Sequence, residues 1–301
     1  MKDSGMPSAK TALQYYTQVG PMTEAGKYTS TLRELPRDVA KLCEIIQGLL
    51  IHRHLAQQLY GVQFSPERVD ETHIRPLAEM LERITALDER PLTASRTPEK
   101  RLVSVCRDYA LMSCAILRYQ GVAARARCGF GAYFDAGNFV DHWVCEYWSS
   151  AQSRWILLDA QIDAPQRQLF RPDFDPLDVP RDRFLIAGDA WQQCRSGRAD
   201  ASRFGILDMH GAWFIGGNVI RDLAALNRTE MLPWDVWGGM CRPDEALSAE
   251  QTAFFDQVAE LTVGIEEAFP NACAAYDSDD RLRVPSVVFN AVRNVPETVS
   301  V

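Results

Sequence analysis

Residues 140–148 and 154–162 alternate with a period of two, and only a short polar segment separates them. Such alternation predicts half-buried β-strands, and a connection this short joins antiparallel neighbours. One face of the first strand carries Val140, His142, Val144, Glu146 and Trp148. The pattern therefore predicts a β-hairpin, and this hairpin restricts the fold more than any other feature of the chain.

The length of the turn predicts the register of the hairpin. A four-residue loop at 149–152 places Trp148 opposite Ser153 and His142 opposite Asp159. Directly opposed residues on one face have Cβ atoms about 4.5–5.5 Å apart. A carboxylate at that distance can hold an imidazole N–H and fix its tautomer. The alternative interpretation is an ordinary cross-strand polar pair on a half-exposed hairpin.

A helix is predicted from Cys106 to Gln120, and Gly121 supplies the usual C-terminal stop. Ser104 is the expected N-cap, which places Cys106 in the first turn. The helix dipole and the unpaired N–H groups there favour a thiolate over a thiol, and the same N–H groups can bind an oxyanion. The other seven cysteines are interpreted as small buried apolar residues.

A thiol, an imidazole and a carboxylate in this order are the parts of a nucleophilic acyl-transfer site. The residues around them resemble the transglutaminase-like superfamily, including its bacterial members. The motifs that carry the resemblance are Cys106-Arg107-Asp108-Tyr109, the helix exit from Leu117 to Arg125, His142-Trp143-Val144-Cys145-Glu146, and Trp155 through Asp159. Together they span about residues 95–165.

The resemblance implies an α+β fold with a papain-like core, in which the nucleophile helix packs on an antiparallel sheet. Around this core, helical additions are expected on both sides. The predicted organisation of the single domain is an arm at 1–28, a helical layer at 35–95, the catalytic core at 96–165, a helical C-terminal layer at 166–270 and an irregular tail at 271–301. Within the first helical layer, an apolar stripe beginning at Val39 predicts a helix that ends near Gly61.

Four further residues are candidates for the site. Gln47 lies between apolar positions of an upstream helix and is a candidate second oxyanion donor. Trp143, Trp234 and Trp237 are candidates for the substrate cleft, although aromatic residues in such positions are more often part of a core. Arg125 and Arg127 share a strand face that is expected to be solvated or ion-paired.

Composition excludes several classes of function. A net charge of −8 and an isoelectric point near 5.2 argue against a nucleic-acid partner. No apolar run reaches the roughly 18 residues of a membrane span, and residues 1–5 lack the apolar region of a secretory signal. Eight unclustered cysteines suit the reducing cytoplasm. Without a CxxC or HExxH motif, no metal or other cofactor is expected, and nothing in the sequence indicates an oligomeric state.

Two functions remain open from the sequence. The first is an enzyme in which Cys106 attacks an amide or thioester carbonyl, with water as acceptor in a peptidase or amidase and an amine as acceptor in an amide-forming transferase. Its partners are a peptide, amide or acyl-thioester substrate and an amine. The second is a binding module that uses the papain-like groove without turnover. The intact set of Cys106, His142 and Asp159 favours the enzyme.

Overall fold

Helices and strands are intermixed along the chain, and the structure, a computed structural model, describes residues 9–243 and 246–300. The helices are α1 (Ala9–Tyr15), α2 (Thr29–Glu34), α3 (Val39–Leu49), α4 (Ala56–Tyr60), α5 (Pro66–Val69), α6 (Leu77–Leu87), α7 (Cys106–Tyr119), α8 (Ala164–Phe170), α9 (Ala187–Arg195), α10 (Ala212–Leu226), α11 (Ala249–Val263) and α12 (Ile265–Ser278). The strands are β1 (Leu50–His52), β2 (Leu102–Ser104), β3 (Ala124–Gly131), β4 (Phe139–Ser149), β5 (Arg154–Leu158), β6 (Phe184–Ile186), β7 (Phe204–Ile206), β8 (Met209–His210), β9 (Asp235–Val236), β10 (Val287–Asn290) and β11 (Val295–Thr298). The expected α+β class is confirmed.

The central sheet has the strand order β6-β3-β4-β7-β8, and β5 also pairs with β4. Along one edge, β4 pairs antiparallel with β3 over eight residues, including Gly129 opposite His142. Along its other edge, β4 pairs with β7 at Phe139 and Val140 and with β5 from Cys145 to Ser149. Among the described strands, residues 141–144 thus have no partner on that edge. His142 lies in this interval, where β5 and β7 diverge.

Helix α7 packs its buried length against β3 and β4. The chain enters it from β2, which runs parallel to β1 with His52 opposite Ser104. The N-cap is Val105, not Ser104 as predicted, because the hydroxyl of Ser104 instead donates to the carbonyl of Ile51 at 3.0 Å. The carboxylate of Asp108 accepts from the Val105 N–H at 2.9 Å and closes the helix start. Cys106 is therefore the first helical residue, and Gly121 follows the helix with φ of +80° as expected.

The hairpin is present, but its predicted register is wrong by two residues. Ser149 pairs with Arg154 and Trp148 with Trp155, so the loop is 150–153. Ser153 takes a left-handed conformation with φ of +50°, and the two tryptophan rings meet edge to face with centroids 5.8 Å apart. A shift of two residues keeps every side chain on its predicted face. His142 and Asp159 therefore still lie on one face, although they are not directly opposed.

The N-terminal elements are more ordered than the sequence suggested. Residues 1–8 lie outside the described residues, but from α1 onward the expected loose arm is packed, and Tyr16 and Met22 are buried. The helix expected to run from Val39 to Gly61 ends at Leu49, because the next three residues pair with β2 as a strand. Helix α4 then ends before Gly61, whose φ of +68° is left-handed.

The C-terminal part also departs from the prediction. The 166–270 layer contains helices, but β6, β7 and β8 within it extend the central sheet. The expected irregular tail is wrong: α12 continues through Pro270 to Ser278, and β10 pairs with both β11 and β9. Proline removes one helical hydrogen bond, whereas the buried side chains of Phe269, Ala272 and Tyr276 hold this helix against the core.

A group of buried charged side chains lies around Glu146 on the central sheet. The Oε2 of Glu146 accepts from Arg125 Nε at 2.6 Å and from Arg127 Nη1 at 3.1 Å. Arg127 also donates to Asp222 at 2.8 Å, and Arg181 donates to Glu146 from the surface. The face carrying Arg125 and Arg127 is ion-paired rather than solvated.

Candidate active site

Cys106 lies at the start of α7. The residue is 7% exposed and lines a cavity. Burial raises the pKa of this thiol well above its ordinary value, and the charge of Asp141 raises it further. The backbone N–H groups of Trp143 and Arg107 lie at the sulfur and oppose the increase. Burial therefore acts against the thiolate that the helix start favours.

His142 and Asp159 are in direct contact. The ring Nε2 of His142 lies 2.8 Å from Oδ2 of Asp159, and both residues are buried. An ionised carboxylate only accepts hydrogen bonds, so Nε2 carries the ring proton and Nδ1 is the basic nitrogen. His142 lines the same cavity as Cys106. Within the described residues no hydrogen bond joins the Cys106 sulfur to the ring, a looseness common in ligand-free catalytic sites.

Asp159 has further partners that the sequence did not reveal. The hydroxyl of Tyr133 donates to Oδ2 at 2.7 Å, and the backbone N–H of Gln161 donates to Oδ1 at 3.1 Å. The carboxylate is thereby fixed from both sides. The sequence feature that accompanies Tyr133 is the glycine two residues before it, Gly131. A Cβ atom at that position would lie 2.7 Å from the ring of Phe134 and 3.2 Å from that of Tyr133. Glycine at this position lets both rings fold back over the strand.

Aromatic rings enclose the imidazole. Phe134 meets the His142 ring edge to face with centroids 4.7 Å apart, and Tyr133 and Phe184 lie at 6.0 and 6.2 Å. These contacts restrict rotation of the ring and shield its bond to Asp159 from water. The arrangement presents one defined nitrogen to the cavity.

Asp141, next to His142 in sequence, forms another buried polar group in the cavity wall. Its Oδ1 accepts from Asn218 Nδ2 at 2.7 Å, and the Oδ1 of Asn218 accepts from Arg221 at 3.0 Å. Arg221 also donates to the carbonyl of Asp235 at 3.0 Å. Burial raises the pKa of Asp141, while Arg221 and Asn218 act against that increase. These three side chains hold one another beside the thiol.

The cavity has a volume of about 960 Å³. Apolar and aromatic side chains form most of its wall, and they come from elements far apart in the sequence: Phe134, Phe170, Ile206, Leu207, Met209, Trp213, Phe214, Trp234, Met240, Phe289 and Val292. A large apolar cavity with a few convergent polar groups is typical of a small-molecule or substrate site.

The structure separates the other candidates. Trp234 lines the cavity, and its indole N–H donates to His73 at 3.2 Å. Trp237 is buried away from the lining and donates to the carbonyl of Leu282, and the Trp143 side chain lies on the opposite face of β4 in the core. Gln47 does not line the cavity, because its amide donates to the carbonyl of Ala160 at 3.0 Å. Only Trp234 of these candidates thus lies in the cleft.

Asp163, the other acidic residue near the end of the hairpin, has a different environment. Its side chain caps α8 by accepting from the N–H of Gln166 at 3.1 Å, and the hydroxyl of Tyr60 donates to it at 2.6 Å. No group of three or more His, Cys, Asp or Glu side chains among the described residues is arranged to hold a metal ion. In the same part of the chain, no helix has the length and apolar character needed to span a membrane.

A cysteine at a helix start beside a histidine on the adjoining sheet defines a cysteine-based catalytic fold of the papain-like class. Residues 75–160 match the family model of the transglutaminase-like superfamily. The matched segment contains Cys106, His142 and Asp159.

One solved structure is also similar to the chain, the "Putative Cysteine Protease from Cytophaga hutchinsonii", at 16% identity and a TM-score of 0.20. The similarity covers 56% of this chain and 49% of that protein, so the chain matches about half of its length. No curated protein matches the chain.

Proposed function

We propose that this protein catalyses acyl transfer from an amide or thioester through Cys106, with His142 as the base and Asp159 as the group that orients it. The observation that carries the proposal is the 2.8 Å contact between His142 Nε2 and Asp159 Oδ2. That contact leaves Nδ1 as the proton acceptor in a ring that lines the same cavity as the thiol.

The first half-reaction forms a thioester. Nδ1 of His142 takes the thiol proton while the sulfur attacks the carbonyl carbon, and the carbonyl electrons move onto oxygen. The backbone N–H groups of Arg107 and Trp143, which lie at the sulfur, are the proposed donors to that oxyanion. When the tetrahedral intermediate collapses, the imidazolium gives its proton to the leaving amine or thiolate, and the acyl group stays on Cys106.

The second half-reaction transfers the acyl group to an acceptor. Water yields a carboxylic acid, as in a peptidase or amidase, whereas an amine yields a new amide. In either case His142 takes the proton of the acceptor and returns it to the sulfur of Cys106. The apolar wall of the cavity limits access of water to the thioester, which favours an amine that binds there.

The raised pKa of the thiol has a mechanistic consequence. Because burial raises the pKa of Cys106, we propose that proton transfer to His142 accompanies attack on the carbonyl rather than preceding it. Asp159 assists this step, since the imidazolium that forms is stabilised by the carboxylate.

The test is formation of an acyl-enzyme. The protein is mixed with 4-nitrophenyl acetate, release of 4-nitrophenol is followed in rapid mixing, and the acetyl group is located by peptide mass mapping. We expect a burst that matches the protein concentration, with the acetyl group on Cys106, and loss of the burst in Cys106→Ala and His142→Ala. Acetylation of another residue, or no burst, would contradict the proposal and favour a binding module without turnover.

The acceptor is identified by a second measurement on the same acyl-enzyme. Its decay is compared in buffer alone and with added primary amines of increasing chain length. Decay that accelerates with amine, with the amide as product, assigns a transferase, whereas decay unaffected by amine assigns a hydrolase.

A further inference from the structure

Arg53 lies on the cavity wall close to the nucleophile. Strands β1 and β2 are parallel with His52 opposite Ser104, and the backbone N–H of Arg53 donates to the carbonyl of Ser104 at 2.9 Å. Cys106 comes two residues after Ser104. The side chains of Arg53 and of its neighbours His52 and His54 line the same cavity as Cys106.

The guanidinium of Arg53 has no partner within residues 9–243 and 246–300. It makes no hydrogen bond or ion pair there, although the residue is about half-buried. Two fully buried arginines are ion-paired instead, Arg118 with Glu230 at 2.9 Å and Arg127 with Asp222. Burial lowers the pKa of Arg53, and no carboxylate offsets that effect. A cation held in this way is stabilised by an anion that comes from outside the chain.

The neighbouring histidines add donors but little charge. Burial lowers the pKa of His52 to about 3, and its Nδ1 is buried without a hydrogen-bond partner. His54 is exposed, and its ring centroid lies 5.7 Å from that of His52. At neutral pH this corner of the cavity therefore offers a single guanidinium charge with neutral imidazoles beside it.

Asp141 and Arg221 are both hydrogen-bonded to Asn218, and Arg221 also donates to the carbonyl of Asp235. The Nε of Arg221 is buried without a hydrogen-bond partner among the described residues. Arg53 differs from Arg221 in that its whole guanidinium makes no hydrogen bond or ion pair within the described residues.

The remaining wall of the cavity is apolar and continues to its mouth. Trp213, Phe214 and Trp234 lie inside, and large apolar side chains are exposed at the rim, where Leu207 is 75%, Val292 54% and Phe289 41% exposed. Exposed apolar groups around a cavity mark a surface that binds an apolar molecule. A ligand that satisfies both parts of the cavity is amphipathic.

We propose that the substrate of the acyl-transfer site carries a carboxylate bound by Arg53 and an apolar group that packs against the wall formed by Trp213, Trp234 and Phe289. This proposal rests on the proposed function only in calling the ligand a substrate. A guanidinium matches the planar carboxylate through two parallel hydrogen bonds. A phosphate dianion would leave a negative charge uncompensated in a cavity that also contains Asp141.

The test measures binding without chemistry, in the Cys106→Ala protein. Two probes of equal size are compared by isothermal titration calorimetry, 4-phenylbutyrate and its neutral amide 4-phenylbutyramide. We expect the carboxylate to bind at least about tenfold more tightly, the difference that a charge-assisted hydrogen bond provides. Arg53→Gln should abolish that preference, and Phe289→Ala should weaken both probes to a similar extent.

The matched control is Arg198→Gln, which removes an exposed arginine bound to Ser196 and should keep the preference. Because the Arg53 side chain has no partner within the described residues, Arg53→Gln should keep the thermal midpoint of the protein. Equal affinity for the two probes, a preference that survives Arg53→Gln, or no binding of either probe would overturn the proposal. Tighter binding of phenyl phosphate than of 4-phenylbutyrate would overturn the choice of a carboxylate.

The two proposals fail separately. If the burst on Cys106 occurs but the carboxylate preference is missing, the catalytic site stands and this substrate class is wrong. If the preference is present but the burst is absent, the anion site stands and the chemistry is wrong.

Discussion

Oδ2 of Asp159 accepts hydrogen bonds from both the His142 ring and the Tyr133 hydroxyl, at 2.8 and 2.7 Å. The two donors come from different parts of the sheet: Tyr133 lies just after the end of β3, and His142 lies within β4. The carboxylate therefore joins the adjacent strands at the point where the sheet opens toward the cavity. The position of this carboxylate, and not its charge alone, determines how the His142 ring is oriented toward the cavity.

Replacing Asp159 by Asn should abolish most of the turnover. An amide has one accepting oxygen and cannot accept from His142 and from the Gln161 N–H at once, so the imidazole is held less well. An equivalent change in a serine protease lowers kcat about 10⁴-fold. Asp163→Asn is the matched control, because Asn also caps helices well and this residue contacts Tyr60 rather than His142. Rates of acyl-enzyme formation in both variants give the measurement. Equal losses would show that the wrong carboxylate has been named.

Tyr133→Phe should slow acylation by about 10- to 100-fold while substrate affinity stays constant. The change removes a hydrogen bond to a buried carboxylate, which costs about 1–3 kcal/mol, and keeps the ring that packs on Phe134 with centroids 4.4 Å apart. Tyr60→Phe removes the same kind of bond from Asp163 and should leave the rate unchanged. Single-turnover kinetics at several substrate concentrations separate the two effects. A change in affinity alone would assign Tyr133 to substrate binding.

Alkylation of Cys106 by iodoacetamide should keep accelerating with pH beyond 9.0, because burial and Asp141 raise the pKa of the thiol above that value. Removing the negative charge in Asp141→Asn lowers this pKa, so more thiolate is present at a given pH. The variant should therefore react several-fold faster at pH 8, with each unit of pKa equal to about a tenfold change. Asp173→Asn, at an exposed ion pair with Arg183, is the control. A rate plateau below pH 7 would instead indicate a thiolate–imidazolium pair.

Glu146→Gln should destabilise the fold by about 3 kcal/mol or more, since it removes the buried carboxylate that Arg125 and Arg127 share. Burial raises the pKa of Glu146, but Arg125, Arg127 and Arg181 outweigh it and hold the pKa below its ordinary value. The stabilisation is then complete above the ordinary value of 4.5 and is lost as the pH falls below it. Urea unfolding between pH 3 and 7 should show a larger loss of stability in the natural protein than in the variant.

The control for this measurement is Glu266→Gln. Glu266 also pairs with Arg125, at 2.7 Å, but its side chain is half-exposed. Exposed pairs contribute less than about 1 kcal/mol. A similar loss of unfolding free energy in both variants would mean that burial of the carboxylate does not determine its contribution to stability.

The sequence was sufficient to predict the hairpin and the Cys106 helix, because the signals for both elements are local. Alternation in the hairpin and the helix from Cys106 to Gly121 depend on neighbouring residues, and both are present in the structure. The error in register left the faces intact, since a shift of two residues preserves them. The sequence therefore placed His142 and Asp159 on one face of the hairpin, although the predicted strand register was incorrect.

Other features depend on contacts between distant segments and have no local signal. Arg53 has no carboxylate partner among the residues that the structure describes, which only the folded chain reveals. The burial that raises the pKa of Cys106 opposes the local effect of the helix start. At Pro270 the local signal for a break was overridden by the packing of Phe269 and Tyr276.

The buried charges around Glu146 constrain how this protein can diverge. Glu146 pairs with Arg125 and Arg127, and Arg127 also pairs with Asp222, so a substitution at one position removes a buried partner from another. Lineages that change the set are expected to change its members together, by paired loss of an arginine and an acid. Correlated variation at these positions among relatives would then reflect folding rather than chemistry, and should be separated from the variation that follows the substrate.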